Sequence, residues 1–388
     1  MLRSVRRAGA VAGLLALAAV TAFGGAATAA PAKLKSPSQA MAAVAKGGSG
    51  GSGELRVVAE GLNNPRGIGI GPDGALYVAE SGKGGAGPCI AGPEGDQACF
   101  GRSGSVTRIT RHSQQRVLTG LPSTAAPDGT AAAGPVDLGF SGWTGYLLIG
   151  NPGGGAATRK ALGPGAGRFG KLLKVDLHGI RSVADFPRFE DANNPDGGDP
   201  AEGGVDSNPN GLLVRHGARY VTDAGGNDLL KVDHKGRISV VAVFPPRPVG
   251  DIPMQAVPTS VVKGPDGAFY VGQLTGFPFP VGGANVWRVR PGHDPEVFKG
   301  GFTNIIDIAF DRRGRLYVLE IATGGLLNAP ADELPVGRLV RVNRDGSTTT
   351  LASEGLNAPG GFVLGHHTAY TTNNSILPGA GQVVKVAI

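Results

Sequence analysis

Short apolar runs separated by turn-forming residues repeat along the chain, and the six tyrosines mark the repeat. Each tyrosine lies in a short apolar segment that ends in a polar residue. These segments are 76–80, 146–151, 220–223, 270–273, 317–320 and 370–373. Five polar residues follow their tyrosine by three positions and one by five. Since strand side chains alternate with period two, the pattern predicts six equivalent β-strands.

Each tyrosine strand is preceded by another apolar strand and a tight turn. Pro-Asp-Gly forms the turn at 72–74 and again at 265–267. Proline presets its φ and glycine accepts the left-handed geometry, so these turns predict hairpins. A third apolar strand follows in every unit, for example 229–232, and a fourth in the first five units, for example 238–243.

The sixth unit lacks a fourth strand, and the N-terminal part of the chain offers one. Residues 55–62 precede the first unit and resemble residues 350–356 of the fifth. We therefore predict an all-β fold, a six-bladed β-propeller of four-stranded blades that the N-terminal strand closes. An open β-solenoid or two stacked sandwiches would also alternate strands and turns, but neither predicts this closing strand.

The N-terminus has the order of a secretory signal peptide. Basic residues up to Arg7 precede an apolar run, which ends in small residues with predicted cleavage after Ala29 or Ala30. The alternative is a retained membrane anchor, although the run is shorter than the roughly 20 residues that span a bilayer. We predict a signal peptide at 1–30, a flexible Gly/Ser/Ala-rich tether at 31–53 and the propeller at 54–388. The expected location is secreted, extracellular or cell-surface associated, with no transmembrane segment after signal removal.

The formal net charge of +7 does not indicate a nucleic-acid partner. Six of the basic residues responsible lie in the signal peptide and the tether, which leaves the propeller with about +1. Nucleic-acid binding needs a basic face that neutralises phosphates. We exclude that class and expect a monomer whose partner is a small molecule or a protein at the channel mouth or at the loop insertions.

The chain has two cysteines, Cys89 and Cys99, in a segment rich in Gly and Pro. In an oxidising compartment they are expected to pair. A zinc site would need further Cys or His nearby, and no histidine is close in sequence. The pair predicts a disulfide that staples one long loop.

Two sets of residues occupy equivalent positions in the blades and should converge near the propeller axis. The first follows the tyrosine strands and contains Glu80, Asn151, Asp223, Gln273, Glu320 and Asn373. The second enters the innermost strands and contains Arg66, Asp137, Asn210, Ser260 and Asp307, with Gly360 or Gly361 in the last blade. In an up-and-down hairpin both sets face one opening.

Carboxylates and amides of this kind suit a hard cation, so Ca²⁺ is the candidate cofactor. Arg66 could instead neutralise one carboxylate without any metal. A purely structural alternative is that these side chains hydrogen-bond the loop backbone at the strand ends. A second cation candidate is the acidic insertion between the second and third blades, through Asp191, Asn193, Asp196 and Asp199; a solvated acidic loop is its alternative.

Several enzyme classes lack support in the sequence. All seven histidines fall in or beside predicted hairpin turns, away from both sets, which argues against a His base. No Gly-x-Ser-x-Gly elbow lies on a strand-to-helix turn in a chain without an evident helix. Long insertions on a rigid scaffold remain the other place where function is expected.

The chain resembles the ScyD/ScyE family over nearly its whole mature length. The likeness is carried by Asn-Pro-Arg-Gly-Ile-Gly-Ile-Gly-Pro-Asp-Gly within 61–82, by the cysteine segment 99–109, and by 194–198 with 206–211. The resemblance implies an exported NHL-like or TolB-like propeller without a settled activity. A binding or scaffolding protein is the first hypothesis, a metal-dependent hydrolase of the gluconolactonase type using Glu80, Asn151 and Asp223 the second, and a quinone-dependent sugar dehydrogenase the third.

Overall fold

The structure is a computed structural model that describes residues 53–91, 97–198, 204–330 and 333–388. The predicted signal peptide and all of the predicted tether except Gly53 lie outside these residues. Within them, no helix is long and apolar enough to cross a bilayer.

Apart from one two-stranded hairpin, the strands form six sheets arranged as six blades, as predicted. Strand β1 is Arg56–Leu62. Blade 1 contains β2 (Pro65–Ile70), β3 (Leu76–Glu80), β4 (Cys89–Ala91), β5 (Gln97–Ile109) and β6 (Gln114–Ala125). Blade 2 contains β7 (Pro135–Ser141), β8 (Thr144–Ile149), β9 (Lys171–Asp176) and β10 (Gly179–Asp185). Blade 3 contains β11 (Pro209–Arg215), β12 (Ala218–Asp223), β13 (Asp228–Asp233) and β14 (Ile238–Val243).

A two-stranded hairpin of β15 (Arg247–Val249) and β16 (Ile252–Met254) separates blades 3 and 4. Blade 4 contains β17 (Pro258–Lys263), β18 (Phe269–Gln273), β19 (Ala284–Val289) and β20 (Glu296–Phe302). Blade 5 contains β21 (Ile305–Phe310), β22 (Leu316–Glu320), β23 (Arg338–Val342) and β24 (Thr348–Ala352). Blade 6 contains β25 (Gly361–Leu364), β26 (Thr368–Asn373) and β27 (Gly381–Ala387).

Strand β1 completes the sixth blade by pairing antiparallel with β27, from Arg56 opposite Lys385 to Leu62 opposite Gly381. This pairing confirms the predicted closure of the ring. The innermost strand of each blade contacts that of the next blade, and β2 contacts β25, so the six innermost strands surround the axis. Apolar side chains from facing sheets form the core between the blades; Leu148 and Leu230, for example, pack in one such cluster.

The hairpin turns are held by a repeated side-chain contact. Asp73 accepts hydrogen bonds from the amide of Ala75 at 3.2 Å and the hydroxyl of Tyr77 at 3.2 Å. Asp266 repeats both contacts in blade 4, with Ala268 at 3.1 Å and Tyr270 at 3.2 Å. In blade 5 the hydroxyl of Tyr317 contacts Asp311 at 3.4 Å, so in three blades the tyrosine hydroxyl connects the second strand to the preceding turn.

The connections divide the propeller into two unlike ends. At one end, the turn rim, no connection is longer than six residues. At the other, the insertion rim, the tyrosine strands end and the innermost strands begin. The insertion rim carries the long connections, including 126–134, 150–170, 274–283 and 321–337.

Two short helices on the insertion rim correct the expectation of a chain without helices. Helix α1 is Ala156–Ala161 and helix α2 is Phe186–Asn193, and 3₁₀ turns lie at Pro164–Ala166 and Leu326–Asn328. Helix α2 begins where the Asp185 carboxylate accepts the amide of Arg188, with a proline in the first turn. It ends at Asn194, which adopts a left-handed conformation. A capping Asp and an early Pro are helix-start signals, but the helix is short.

The predicted disulfide is present between Cys89 and Cys99. The two cysteines are direct partners in the β4–β5 ladder, with their Cα atoms 4.0 Å apart. The disulfide therefore links two neighbouring strands of blade 1, β4 and β5.

Candidate channel-mouth site

A cavity of about 60 Å³ opens on the insertion rim where the six innermost strands begin. One residue of the second predicted set comes from each blade to line it: Arg66, Asp137, Asn210, Ser260, Asp307 and Gly360. The structure thus brings the second set together at the channel mouth. A cavity of this volume has room for a few waters or one ion, so any larger ligand would have to lie over the mouth.

Two carboxylates in this ring join neighbouring blades. Asp137 accepts the amide of Leu138 on its own strand at 2.7 Å and the amide of Leu212 on the next blade at 2.7 Å. Asp307 repeats the arrangement three blades further on, with Ile308 at 2.8 Å and Phe362 at 2.9 Å. A carboxylate has about four lone-pair sites, so each can accept further donors from the channel.

Burial makes both carboxyl groups weaker acids than usual. It raises the pKa of Asp137 to about 8, with a further contribution from the charge of Asp307. Burial also raises the pKa of Asp307 to about 7. Near neutral pH the pair is therefore partly protonated, and a donor or cation in the channel would favour the ionised form.

Arg66 is the cation of the ring, but it does not neutralise either aspartate by direct contact. Its Nη2 donates to the carbonyl of Ala132 at 2.8 Å, and within the described ranges it forms no ion pair. Burial lowers the pKa of Arg66 to about 10. The ring therefore offers guanidinium donors and carboxylate acceptors side by side.

The first predicted set lies on the same rim, and its side chains are 0 to 3% exposed. In four blades the terminal oxygen accepts a backbone amide from the chain entering that blade. The pairs are Glu80 with Asn63 at 2.7 Å, Asp223 with Asn208 at 2.6 Å, Glu320 with Thr303 at 2.6 Å, and Asn373 with Asn357 at 2.7 Å. This repeated contact explains why a polar residue ends the tyrosine strand in these four blades.

The two glutamates of this set also bind an arginine from another strand of the same blade. Glu80 accepts from Arg116 at 2.9 Å and from the hydroxyls of Ser105 and Thr107, and Glu320 accepts from Arg338 at 2.5 Å. Asp223 is occupied by the Ser207 hydroxyl and by three backbone amides. These carboxylates are therefore already well supplied with protein donors.

The two amides that remain in the set make different contacts. Gln273 accepts the amide of Asn285 at 3.2 Å and the indole N–H of Trp287 at 3.1 Å. Asn151 donates through Nδ2 to the carbonyls of Gly154 and Ser207, while its buried Oδ1 has no partner. Asn151 is thus the member of the set with a free acceptor.

The three described candidates of the acidic insertion do not share contacts. Asp191 accepts the amide of Ala156 at 3.0 Å, and Asn193 donates back to Phe189 within its own helix. Asp196 accepts Asn227 Nδ2 at 2.9 Å. Asp199 lies outside the described residues. In the part of the chain that the structure describes, no three His, Cys, Asp or Glu side chains are grouped to hold a metal ion.

Sequence reasoning missed a buried pair of carboxyl groups beside this insertion, Glu190 on α2 and Asp228 on β13. The sequence patterns single out neither residue. The available signal was the position of Asp228, which faces Asp223 across the short turn that joins β12 to β13.

The histidines and aromatic residues divide between the two ends of the propeller. All seven histidines lie in or beside turns of the turn rim, as predicted: His112, His178, His216, His234, His293, His366 and His367. On the insertion rim, Phe277 is 39% exposed, whereas Phe279 packs against the core between blades. The insertion rim therefore presents the exposed Phe277 and no histidine among the described residues.

Comparison with known proteins shows the fold and nothing finer. No family model matches the chain, and no curated protein matches it either. A protein of unknown function from Bacteroides thetaiotaomicron is 9% identical, with a TM-score of 0.52, over 86% of this chain and 75% of that one.

Two further solved structures are less similar in shape. An inactive variant of virginiamycin B lyase from Staphylococcus aureus, bound to quinupristin, is 13% identical with a TM-score of 0.45, over 86% of this chain and 100% of that one. A PQQ-bound aldose sugar dehydrogenase from Streptomyces coelicolor is 12% identical with a TM-score of 0.46, over 87% of this chain and 99% of that one. The structural neighbours are β-propellers, and identities this low support the architecture alone.

Proposed function

We propose that the protein is a secreted binding propeller of the ScyD/ScyE type, whose ligand docks on the insertion rim over the channel mouth. The observation that carries the proposal is the ring of Arg66, Asp137 and Asp307 at the centre of the rim where the long connections gather. Recognition by loops held on a rigid scaffold is a common arrangement. The disulfide agrees with an oxidising compartment.

The ring defines the chemistry of the ligand. The two carboxylates can accept hydrogen bonds or bind a cation, and the guanidinium can donate to an acceptor. A small polar molecule, or a partner's side chain, that carries both kinds of group would match the mouth. The exposed Phe277 supplies apolar contact further out on the rim.

The hydrolase alternative receives less support from the same contacts. It requires Glu80, Asn151 and Asp223 to share a cation, but Glu80 and Asp223 are occupied by protein donors. No observation favours a quinone site. A binding role uses the groups that do face the channel.

The test is a thermal-unfolding screen of the purified chain with its disulfide intact, using monosaccharides, sugar lactones and amino acids as probes. A compound that binds the native state raises the melting temperature by mass action. We expect hits whose effect falls at least tenfold in apparent affinity in Asp307→Asn and Arg66→Gln. Asp345→Asn, an exposed turn variant on the turn rim, serves as the matched control.

Binding that survives both ring variants would contradict the proposal. Turnover of a sugar lactone, or reduction of a dye acceptor by added quinone and sugar, would replace it with an enzymatic function.

A further inference from the structure

Unpaired hydrogen-bond acceptors are concentrated in one part of the insertion rim. Among buried side-chain atoms without a partner in the described residues, seven are carboxylate or amide oxygens. Six of these seven belong to four residues in or beside the connection between blades 2 and 3: Asn151, Glu190, Asn194 and Asp228. Buried acceptors are normally satisfied, so a local excess of them indicates a missing donor or cation.

Glu190 and Asp228 carry the strongest case, since they are 1% and 0% exposed and all four of their carboxylate oxygens lack a partner. Neither residue forms an ion pair within the described ranges. An isolated buried carboxylate is too costly to remain ionised. The two groups therefore need either protons or a positive ion.

The fold brings these two residues to the same turn. Asp228 faces Asp223 across the β12–β13 pair, and residues 224–227 join the two strands. The Glu190 Oε2 atom lies 3.0 Å from where a Cβ at Gly226 would be, so it reaches this turn from helix α2. Asp196 also contacts this turn, because it accepts a hydrogen bond from Asn227 Nδ2.

Unpaired neutral oxygens lie on two nearby segments, the connection 150–170 and the C-terminal end of helix α2. Asn151 donates to the carbonyl of Ser207, whose hydroxyl in turn donates to Asp223 at 2.6 Å. Asn194 follows Glu190 by four residues and caps helix α2. Each presents an unpaired amide oxygen on the segments that surround the turn. Two carboxylates combined with neutral oxygens are a ligand type that Ca²⁺ accepts.

The electrostatics agree with the geometry. Burial, and then the charge of Asp223, raise the pKa of Glu190 to about 8, and the same causes raise the pKa of Asp228 well above its usual range. No lysine or arginine compensates them within the described residues. Without a cation, these groups are held protonated at neutral pH.

We propose that Glu190 and Asp228 are the charged ligands of a Ca²⁺ site between helix α2 and the β12–β13 turn, with Asn151 Oδ1 as a neutral ligand. The site does not depend on the channel-mouth proposal, since none of its ligands belongs to the ring. It would tie the helix of the insertion to blade 3, because its ligands come from both.

The test compares thermal unfolding and calorimetric Ca²⁺ binding of the full chain in EDTA and in CaCl₂. The wild type should bind about one Ca²⁺ and melt at a higher temperature in CaCl₂. Asp228→Asn and Glu190→Gln should each weaken binding at least tenfold. Their melting temperatures in EDTA should equal or exceed that of the wild type, because each removes a buried carboxyl group.

Comparing melting temperatures in EDTA and in CaCl₂ keeps the test informative if a variant folds poorly. A merely structural role predicts that the variant is less stable than the wild type in both buffers. Asp345→Asn is the exposed control and should bind Ca²⁺ like the wild type. Asp307→Asn separates this site from the channel. The proposal is overturned if the wild type binds no Ca²⁺, or if Asp307→Asn abolishes binding while Asp228→Asn and Glu190→Gln leave it intact.

Discussion

Replacing Glu80 with Gln tests whether the polar residue that ends each tyrosine strand holds the backbone or serves a ligand. The change preserves the shape of the side chain and converts one acceptor oxygen into a donor. Glu80 Oε2 accepts the amide of Asn63 at 2.7 Å and Arg116 Nη2 at 2.9 Å, while Oε1 accepts Ser105 and Thr107. Whichever way the glutamine amide is oriented, its NH₂ group faces donors.

The expected loss follows from those contacts. An unsatisfied buried amide costs about 1–3 kcal/mol, and the lost charge-assisted bond adds about 1 kcal/mol after allowance for the partial exposure of Arg116. We therefore expect Glu80→Gln to lower the free energy of unfolding by about 2–4 kcal/mol. With an unfolding entropy near 0.7 kcal/mol/K for a domain of this length, the melting temperature should fall by about 3–6 °C.

The assay is urea unfolding in EDTA, followed by tryptophan fluorescence with the disulfide intact. Glu60→Gln is the matched control, because Glu60 is exposed, and it should stay within about 0.5 kcal/mol of the wild type. If Glu80→Gln also stays within that range in EDTA, the capping argument is wrong. A loss that appears only when Ca²⁺ is present would instead identify Glu80 as a metal ligand.

Three further predictions concern pH, the disulfide and the turns. The pKa values of Asp137, about 8, and Asp307, about 7, are raised above their unfolded values, so the stability that the protonated groups contribute is complete near pH 4 and is lost as the pH rises towards 8. In EDTA, Asp307→Asn should therefore flatten the decline in melting temperature between pH 5 and 8, and an unchanged slope would contradict the assigned burial. Replacing Cys89 and Cys99 together with Ser should lower the free energy of unfolding in urea by about 2–3 kcal/mol, and a value near zero would show that the loop is already ordered in the unfolded chain. In Gly264→Ala the new Cβ would overlap the Tyr270 ring, so we expect a loss of about 1–3 kcal/mol in urea. Gly324→Ala, whose new Cβ meets no atom within 4 Å, should lose less.

The sequence predicted the architecture because the repeat is local. A tyrosine strand, its turn and its polar end occupy about ten residues, and six copies fix the number of blades even though every contact between blades is distant. The closing strand could be predicted because 55–62 resembles a fourth strand elsewhere. The same repetition placed Asp137, Asp307 and Arg66 at one opening.

The remaining features depend on burial and on partners that the repeat does not encode. Helix α2 falls between blades, where periodicity gives no information. The distinction between a carboxylate that holds a backbone amide, as Glu320 does, and one without any donor, as Asp228 is, requires the contacts themselves. Asp228 is also the first residue of an apolar strand, and a polar residue at that position is typical of an ordinary solvent-facing strand end.

The pairing of β1 with β27 sets the order in which the propeller can be assembled. Blades 1 to 5 are built from consecutive strands, so each can form while later parts of the chain are still being synthesised. Blade 6 must wait, because its outer strand is made first and its neighbour β27 last. Until then β1 has an unpaired strand edge that can pair with another chain. The conformational entropy lost in bringing the two distant ends of the chain together is lost in this one step. Ring closure should therefore limit the folding rate, and aggregation should compete with folding at the sixth blade.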